Sequence, residues 1–327
     1  MTQQIKTVKT VAINKTQLKS ILMKLAPLMS LILLIIYFSL ASPHFFSVAN
    51  LMSVALQTSV IGIMAIGVTY VIITAGIDLS LGSIMAFSGV IVGMVASYNM
   101  PISLAIMAGV FAGTFCGFIN GFLVAKAKIP AFIATLGIMM SVRGINMVLT
   151  DGRSLYFIKY PEFKSLAQGY LFNTIPLPVI YFFVIAIIAA FILKRTVVGR
   201  YIYALGSNEA AAKLSGIKVD RIKLFAFSFS GLMAGISGVI LASRINSGNP
   251  SGGQGYELEA IAAVIIGGTS LNGGIGTIGG TIIGAFIMSI LKNGLNLMGV
   301  SQFWQMVAMG GVVIGAVYLD TLRNKSK

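Results

Sequence analysis

Six stretches of this chain run without a formal charge: residues 25–77, 79–125, 165–193, 224–243, 260–291 and 293–319. A helix needs about 20 apolar residues to cross the hydrocarbon core of a bilayer, and only helices or closed barrels satisfy every backbone group there. Several of the runs are long enough for two crossings, and the spacing predicts about ten in all. The composition agrees, with 57% of residues hydrophobic and 9% charged, far from a soluble domain. The expected fold class is an all-α polytopic membrane protein, with some of its helices broken or short.

The net charge of +15 raises nucleic acid as a partner, but its placement argues against that. Seventeen of the 23 Lys and Arg fall in residues 1–24, 126–128, 194–223 and 323–327. If these face the cytoplasm, the excess of positive charge on that side is explained at once, with both termini inside and residues 151–175 outside. The expected organisation is a cytoplasmic arm over 1–24, a transmembrane domain over 25–320 with a cytoplasmic loop over 194–223, and a tail over 321–327. A cleaved secretory signal is not expected, because the apolar character simply continues past the first crossing. The single cysteine, Cys116, excludes a disulfide within the chain, and no Cys/His metal spacing occurs. It reads as a small packing residue.

Two apolar segments are interrupted. In TAGIDLSLGS, residues 74–83, glycines flank the lone carboxylate of Asp78. Irregular backbone at such depth is tolerated only where protein or water surrounds it. Asp78 then either lines a pathway or caps the next helix through the amides of Ser80 or Leu81, and both roles are compatible. VIIGGTSLNGGIG, residues 264–276, echoes VIITAGIDLSLGS, residues 71–83, and paired glycine-broken segments point to a transport site. By the crossing count the two run in the same direction. Thr74, Asp78, Ser80, Thr269, Ser270 and Asn272 are the candidate pathway groups, offering hydroxyls and amides but no strong cage.

Elsewhere the residues read as packing. Gly109, Gly113 and Gly117, and Gly231, Gly235 and Gly238, form small-residue faces for close helix contact. Asn120 is expected to bond between helices. Glu257 and Glu259 open a helix, where its dipole favours anions. His44 is a loop residue, and Trp304 and Tyr318 are interfacial anchors.

Between two apolar runs lies GRYIYALGSNEAAAKLSGIK, residues 199–218. Residues 207–214 read as one short helix that runs through Lys213 to Leu214: Ser207 or Asn208 caps it, Glu209 sits in the first turn, Ala210, Ala211 and Ala212 favour the helix, and Gly216 takes the left-handed end. Such a helix is too short to stand alone. Gly206 and its neighbours must be held from within or by a partner.

This loop, with Gly206, Asn208 to Ala211 and Gly216, resembles the coupling loop of ABC importer permeases for monosaccharides. The resemblance extends through residues 74–83, AFIATLG at 131–137, residues 255–274 and NGLNLMGV at 293–300, and looks most like the ribose-type permease subunit. It implies the ABC importer permease fold, with the short helix docked in a groove of a separate ATPase carrying two nucleotide-binding domains. It also implies a periplasmic sugar-binding protein on the outer face and a second permease copy or close homologue. ATP and Mg would then sit on the partner ATPase, and this chain would hold no cofactor or metal. Arg143, Arg153 and Arg244 give the outer side positive charge; the resemblance implies an acidic-rimmed binding protein docking there, and snorkelling to lipid phosphate is the alternative for any one of them.

Other classes fit less well. The chain carries no Gly-x-x-x-x-Gly-Lys-Ser/Thr phosphate loop, so an importer must draw energy from another chain. An ion-coupled carrier should bury several ionisable groups, and only Asp78 is expected inside. A passive pore gives no reason for the capped helix. A membrane enzyme needs a constellation that one His and eight acids scarcely supply.

Overall fold

The structure is a computed structural model that describes residues 15–157 and 159–325. Residues 1–14 of the expected arm and 326–327 of the expected tail lie outside the described residues. Thirteen helices follow in order: α1 (Lys15–Ala41), α2 (Val48–Ile73), α3 (Leu81–Ser97), α4 (Ile102–Ala125), α5 (Ala131–Thr150), α6 (Pro161–Gln168), α7 (Leu177–Arg195), α8 (Val197–Ser207), α9 (Glu209–Leu214), α10 (Val219–Ile245), α11 (Tyr256–Ile266), α12 (Ile278–Leu297) and α13 (Gln302–Lys325). Among the described residues seven are long and apolar enough to cross a membrane; the apolar parts Leu25–Ala41 and Leu81–Ser97 are shorter, and α11 has only 11 residues. By length and composition the described residues thus give seven crossings, with three shorter apolar helices beside them, against the about ten expected.

The bundle is organised around α2, whose most apolar window is 89% buried, against 28% in α4 and 22% in α5. Its neighbours are α7, α10, α11 and α12, while α10 also packs along α3 and α4. In a bilayer a helix apolar on all sides fits either at the centre or facing lipid, and burial tells the two apart. Accordingly α4 exposes Leu104, Met107, Phe111, Phe115, Phe118 and Phe122 at helical spacing. Trp304 and Tyr318 of α13 are exposed, as is His44 in the turn between α1 and α2.

The small-residue faces meet each other. A Cβ built on Gly113 would lie 2.6 Å from the Gly235 Cα, and one on Gly117 would lie 2.8 Å from the Gly231 Cα and collide with the Phe227 carbonyl. Only glycine permits that approach of α4 to α10. Gly117→Leu is therefore expected to destabilise the bundle by about 3 kcal/mol, as overpacking against backbone does. Thermal unfolding in detergent, compared with the open position Gly279→Leu, checks it. Cys116 is buried in α4 and packs in the apolar core.

The echo between the two broken segments is present in the backbone. After α2, Ala75 N–H donates to Ile72 O at 2.9 Å and Gly76 N–H to Val71 O at 3.0 Å, with Ala75 at φ 60°. After α11, Gly268 N–H donates to Ile265 O at 2.9 Å and Thr269 N–H to Val264 O at 3.1 Å, with Gly268 at φ 92°. Both are the nested pair of bonds that ends a helix through a left-handed residue. They fall at matching places in the two sequences.

At the opposite end, α6 and two short strand pairings, Leu155–Tyr156 with Ser247–Gly248 and Tyr170–Leu171 with Ile175–Pro176, fold over the helices. Residues 246–255, rich in Gly, Ser and Asn, tuck inward. Ser247, Gly248, Pro250 and Gly253 are buried, and Cβ atoms on Gly248 and Gly253 would collide with Gly89 O and Gly82 O. Asn246, Gly253 and Gly255 at positive φ give the segment the sharp turns it needs to enter.

Candidate coupling and permeation site

The loop 194–223 holds two helices where one was expected. α8 is capped by Thr196, whose hydroxyl accepts from Gly199 N–H at 3.3 Å, and it buries Gly199, Ile202 and Leu205. Its amphipathic spacing is masked in the sequence by Arg200, Tyr201 and Tyr203, which fill the open and half-open positions. Ser207 closes α8 with its hydroxyl on Tyr203 O at 2.9 Å, so the short helix starts at Glu209, not at Ser207. Asn208 is the cap: its Oδ1 accepts from Ala211 N–H at 2.9 Å. Gly216 takes φ 79°, and Ile217 N–H reaches back to Ala212 O at 3.1 Å.

α9 is anchored by one face. Ala212 is buried, and both Glu209 oxygens accept from Lys223 Nζ at 2.8 Å. Ala210, Ala211 and Lys213 are exposed, and Leu214 is 90% exposed. A helix of six residues that presents an uncovered leucine needs a partner surface.

The last turn of α8 touches both broken segments through backbone. A Cβ on Gly206 would overlap Ile73 O and lie 2.5 Å from Gly274 N. That same Ile73 carbonyl accepts from Gly274 N–H at 2.9 Å, and Tyr203 Oη donates to Gly276 O at 2.7 Å. α8 thus lies on a junction where the end of α2 meets the loop between α11 and α12. Beside it, a cavity of about 240 Å³ is lined by Thr74, Gly76, Lys128, Glu209, Lys223 and Phe227, among others.

The candidate pathway residues divide. Thr74 lines that cavity. Asp78 and Ser80 are fully buried and knit helices together. Asp78 Oδ1 accepts from Ser80 N–H at 3.0 Å and Ser80 Oγ at 2.6 Å, and Oδ2 accepts from Ser230 Oγ at 2.8 Å. Asn120 Nδ2 donates to Ser80 Oγ at 2.7 Å, the interhelical bond expected of it. Thr135 completes the support, with Leu79 N–H donating to its hydroxyl at 3.2 Å and that hydroxyl within 3.2 Å of Ile77 O. These bonds satisfy extended backbone deep in an apolar bundle. In the second break Thr269 is buried, Ser270 Oγ lies 3.4 Å from Asp320 Oδ2, Leu271 N–H donates to the same oxygen at 3.1 Å, and Asn272 is exposed.

The three candidate docking arginines also divide. Arg153 is exposed just beyond α5, and Arg244 is half-buried in the last turn of α10. Arg143 lies within α5, where its Nη2 is 2.5 Å from Glu257 Oε1. Glu259 pairs with Lys292 at 2.7 Å. Each first-turn glutamate therefore has an ion-pair partner on another helix, in addition to its place at the N-terminus of α11. Ser230, Thr135 and Tyr203 were not singled out in the sequence; a hydroxyl in an apolar helix gives no sign of which distant group it serves.

Comparison with known proteins agrees with this architecture. The family model described as branched-chain amino acid transport system / permease component matches residues 50–317. The ribose import permease protein of Haemophilus influenzae is 45% identical over 301 residues, 91% of this chain and 93% of that protein. The ribose import permease protein of Bacillus subtilis is 46% identical over 308 residues, 94% of each chain. The D-allose transport system permease protein of Escherichia coli is 39% identical over 296 residues, 90% of each. No solved structure matches the chain significantly.

Proposed function

This chain belongs to the family of branched-chain amino acid transport system permease components, and from that premise we propose that it is the membrane-spanning subunit of an ATP-driven sugar importer. Ribose is the sugar proposed, from the ribose import permeases similar to it over nearly their whole length. The chain sits in the bacterial inner membrane with both termini and α9 on the cytoplasmic side, in accord with the basic loops.

The observation that carries the reading is the backbone junction of Gly206, Ile73 and Gly274. A partner ATPase binding ATP and Mg grips the exposed face of α9, with Asn208 and Glu209 fixing its N-terminus and Leu214 as the apolar anchor. When the ATPase domains close, α9 and α8 move, and the breaks at 74–80 and 267–277 are carried with them. Thr74, Asp78, Ser80, Thr269, Ser270 and Asn272 belong to those two breaks, so access to the pathway changes with them. This is a two-state gate biased by ligands that prefer one state. A second copy or close homologue completes the path, and a sugar-loaded periplasmic protein docks at the opposite end, where Arg153 and Arg244 lie. Catalysis stays on the ATPase.

Copurification in gentle detergent tests the reading. ATPase activity is expected to travel with the unaltered chain, and Leu214→Asp is expected to weaken the association by about 2 kcal/mol, the scale of an interface anchor. Glu209→Arg, which loses its pairing with Lys223, should act in the same direction. A chain that moves sugar without any ATPase and tolerates both changes would make it a secondary carrier or a pore.

A further inference from the structure

At the end of the bundle away from α9, a cavity of about 280 Å³ is walled by Ser83 at the start of α3, Arg143, Gly144 and Met147 on α5, and Ser251 and Gln254 of the inward-tucked segment before α11. Its size is at the lower edge of the roughly 300–1,000 Å³ usual for small-ligand sites, enough for one small molecule. None of the pathway residues drawn from the sequence lines it.

The chemistry of the wall selects the ligand class. Arg143 is paired with Glu257, whose side chain is 8% exposed, so the two charges cancel and the cavity holds no net charge for an ion. Only one Arg143 nitrogen makes that pair, and the guanidinium, 36% exposed, keeps further N–H donors. The second Glu257 oxygen is buried against Gly82, so the carboxylate backs the wall and holds Arg143 without lining the cavity itself. The hydroxyls of Ser83 and Ser251 and the amide of Gln254 each both donate and accept. A neutral polyol presents that same mixture on every carbon, whereas a phosphate would bring a net charge that the paired Arg143 does not compensate. Met147 and Ala86 supply apolar contact for C–H groups. The cavity opens along α5 at Gly144, where an added Cβ would meet nothing within 4 Å.

Resting on the sugar-import reading above, we infer that this cavity is this chain's side of the monosaccharide transit site, with Arg143 as a hydroxyl donor and Glu257 as its positioning residue. It lies where the N-termini of α3 and α11 meet: a Cβ on Gly82 would collide with Glu257 Oε2 and Gly253 O. Ser83 follows the first break and Glu257 follows the inward segment, so a shift of either helix start reshapes the wall. Arg143 is then a contact for the cargo and not for the periplasmic protein.

The test uses the whole complex, with its ATPase and binding protein, in proteoliposomes and with Cys116→Ala as background. Gly144→Cys is labelled with a small charged thiol reagent, and sugar uptake and ATP hydrolysis are read together. Labelling is expected to cut uptake by at least about tenfold, as an obstruction in a lining wall does, while hydrolysis stimulated by the loaded binding protein persists. Labelling at Phe172→Cys, an 85% exposed position in the outer loop, should leave both unchanged. Gln254→Leu should lower uptake severalfold with stimulation intact. Full uptake by the labelled Gly144→Cys complex would overturn the inference. A complex whose unlabelled chain moves no sugar, with partners bound, would instead overturn the import reading on which it rests.

Discussion

Replacing Gly206 with valine is expected to abolish sugar uptake while leaving the chain folded and bound to its partners. The branched side chain would have to occupy the position of Ile73 O and press on Gly274 N, and both are backbone atoms with no rotamer in which to retreat. The Gly274 to Ile73 hydrogen bond is lost, at about 1–3 kcal/mol for the buried groups left unpaired, and α8 is levered off the junction. α9 keeps its Asn208 cap and its exposed face, so the ATPase still docks. Uptake is expected to fall by more than about a hundredfold, since a barrier change of that size multiplies with the misplacement of both breaks. ATP hydrolysis should continue, no longer answering to the loaded binding protein. Gly206→Ala should show a weaker form of the same uncoupling. Parallel uptake and hydrolysis assays on one preparation check it, and a Gly206→Val complex that transports normally would show that the junction carries no motion.

The second large effect is at Asp78, and it is one of stability. Its carboxylate accepts from Ser80 N–H, Ser80 Oγ and Ser230 Oγ in a place with no access to solvent. Asp78→Ala strands all three donors, at a cost of about 3–5 kcal/mol, which approaches the whole stability of many proteins. Asp78→Asn keeps one acceptor oxygen for Ser80, and the Ser230 hydroxyl can turn to accept from the new amide, so the cost falls to about 1 kcal/mol. The yield of folded protein and the thermal unfolding midpoint in detergent separate the two. Equal behaviour of the alanine and asparagine variants would mean that the residue acts through its charge alone.

What the sequence revealed and what it hid divide along physical lines. Apolar runs, glycine spacing and basic loops are local signals, and they gave the long membrane helices, the two small-residue faces and the short helix with its left-handed Gly216. The echo between 71–83 and 264–276 proved to be a shared helix-ending geometry, legible through the glycines that follow each apolar run, Gly76 in the first and Gly267 and Gly268 in the second. α8 was missed because its buried stripe, Ile202 and Leu205 with Gly199, is sparse and interspersed with tyrosine and arginine. The inward path of 246–255 was missed because glycine, serine and asparagine signal turns without saying which way they go. Pairings such as Arg143 with Glu257, 114 positions apart, are tertiary facts that spacing cannot carry. For the same reason the candidate pathway residues were chosen by position in the breaks, and the structure separates Thr74, at a cavity, from Asp78 and Ser80, which are internal supports.

In the proposed importer the loop 194–223 and the two breaks move as one piece. Spin labels on Arg200→Cys of α8 and Asn272→Cys of the second break, both exposed positions, report their separation in the assembled complex with Cys116→Ala as background. A third label on Phe118→Cys of α4 reports the separation of α8 from the rim. On addition of ATP the account expects the Arg200 to Asn272 distance to hold constant while the Arg200 to Phe118 distance shifts by several ångström. A Arg200 to Asn272 distance that changes as much as the other would contradict it, since α8 would then slide past the breaks instead of carrying them.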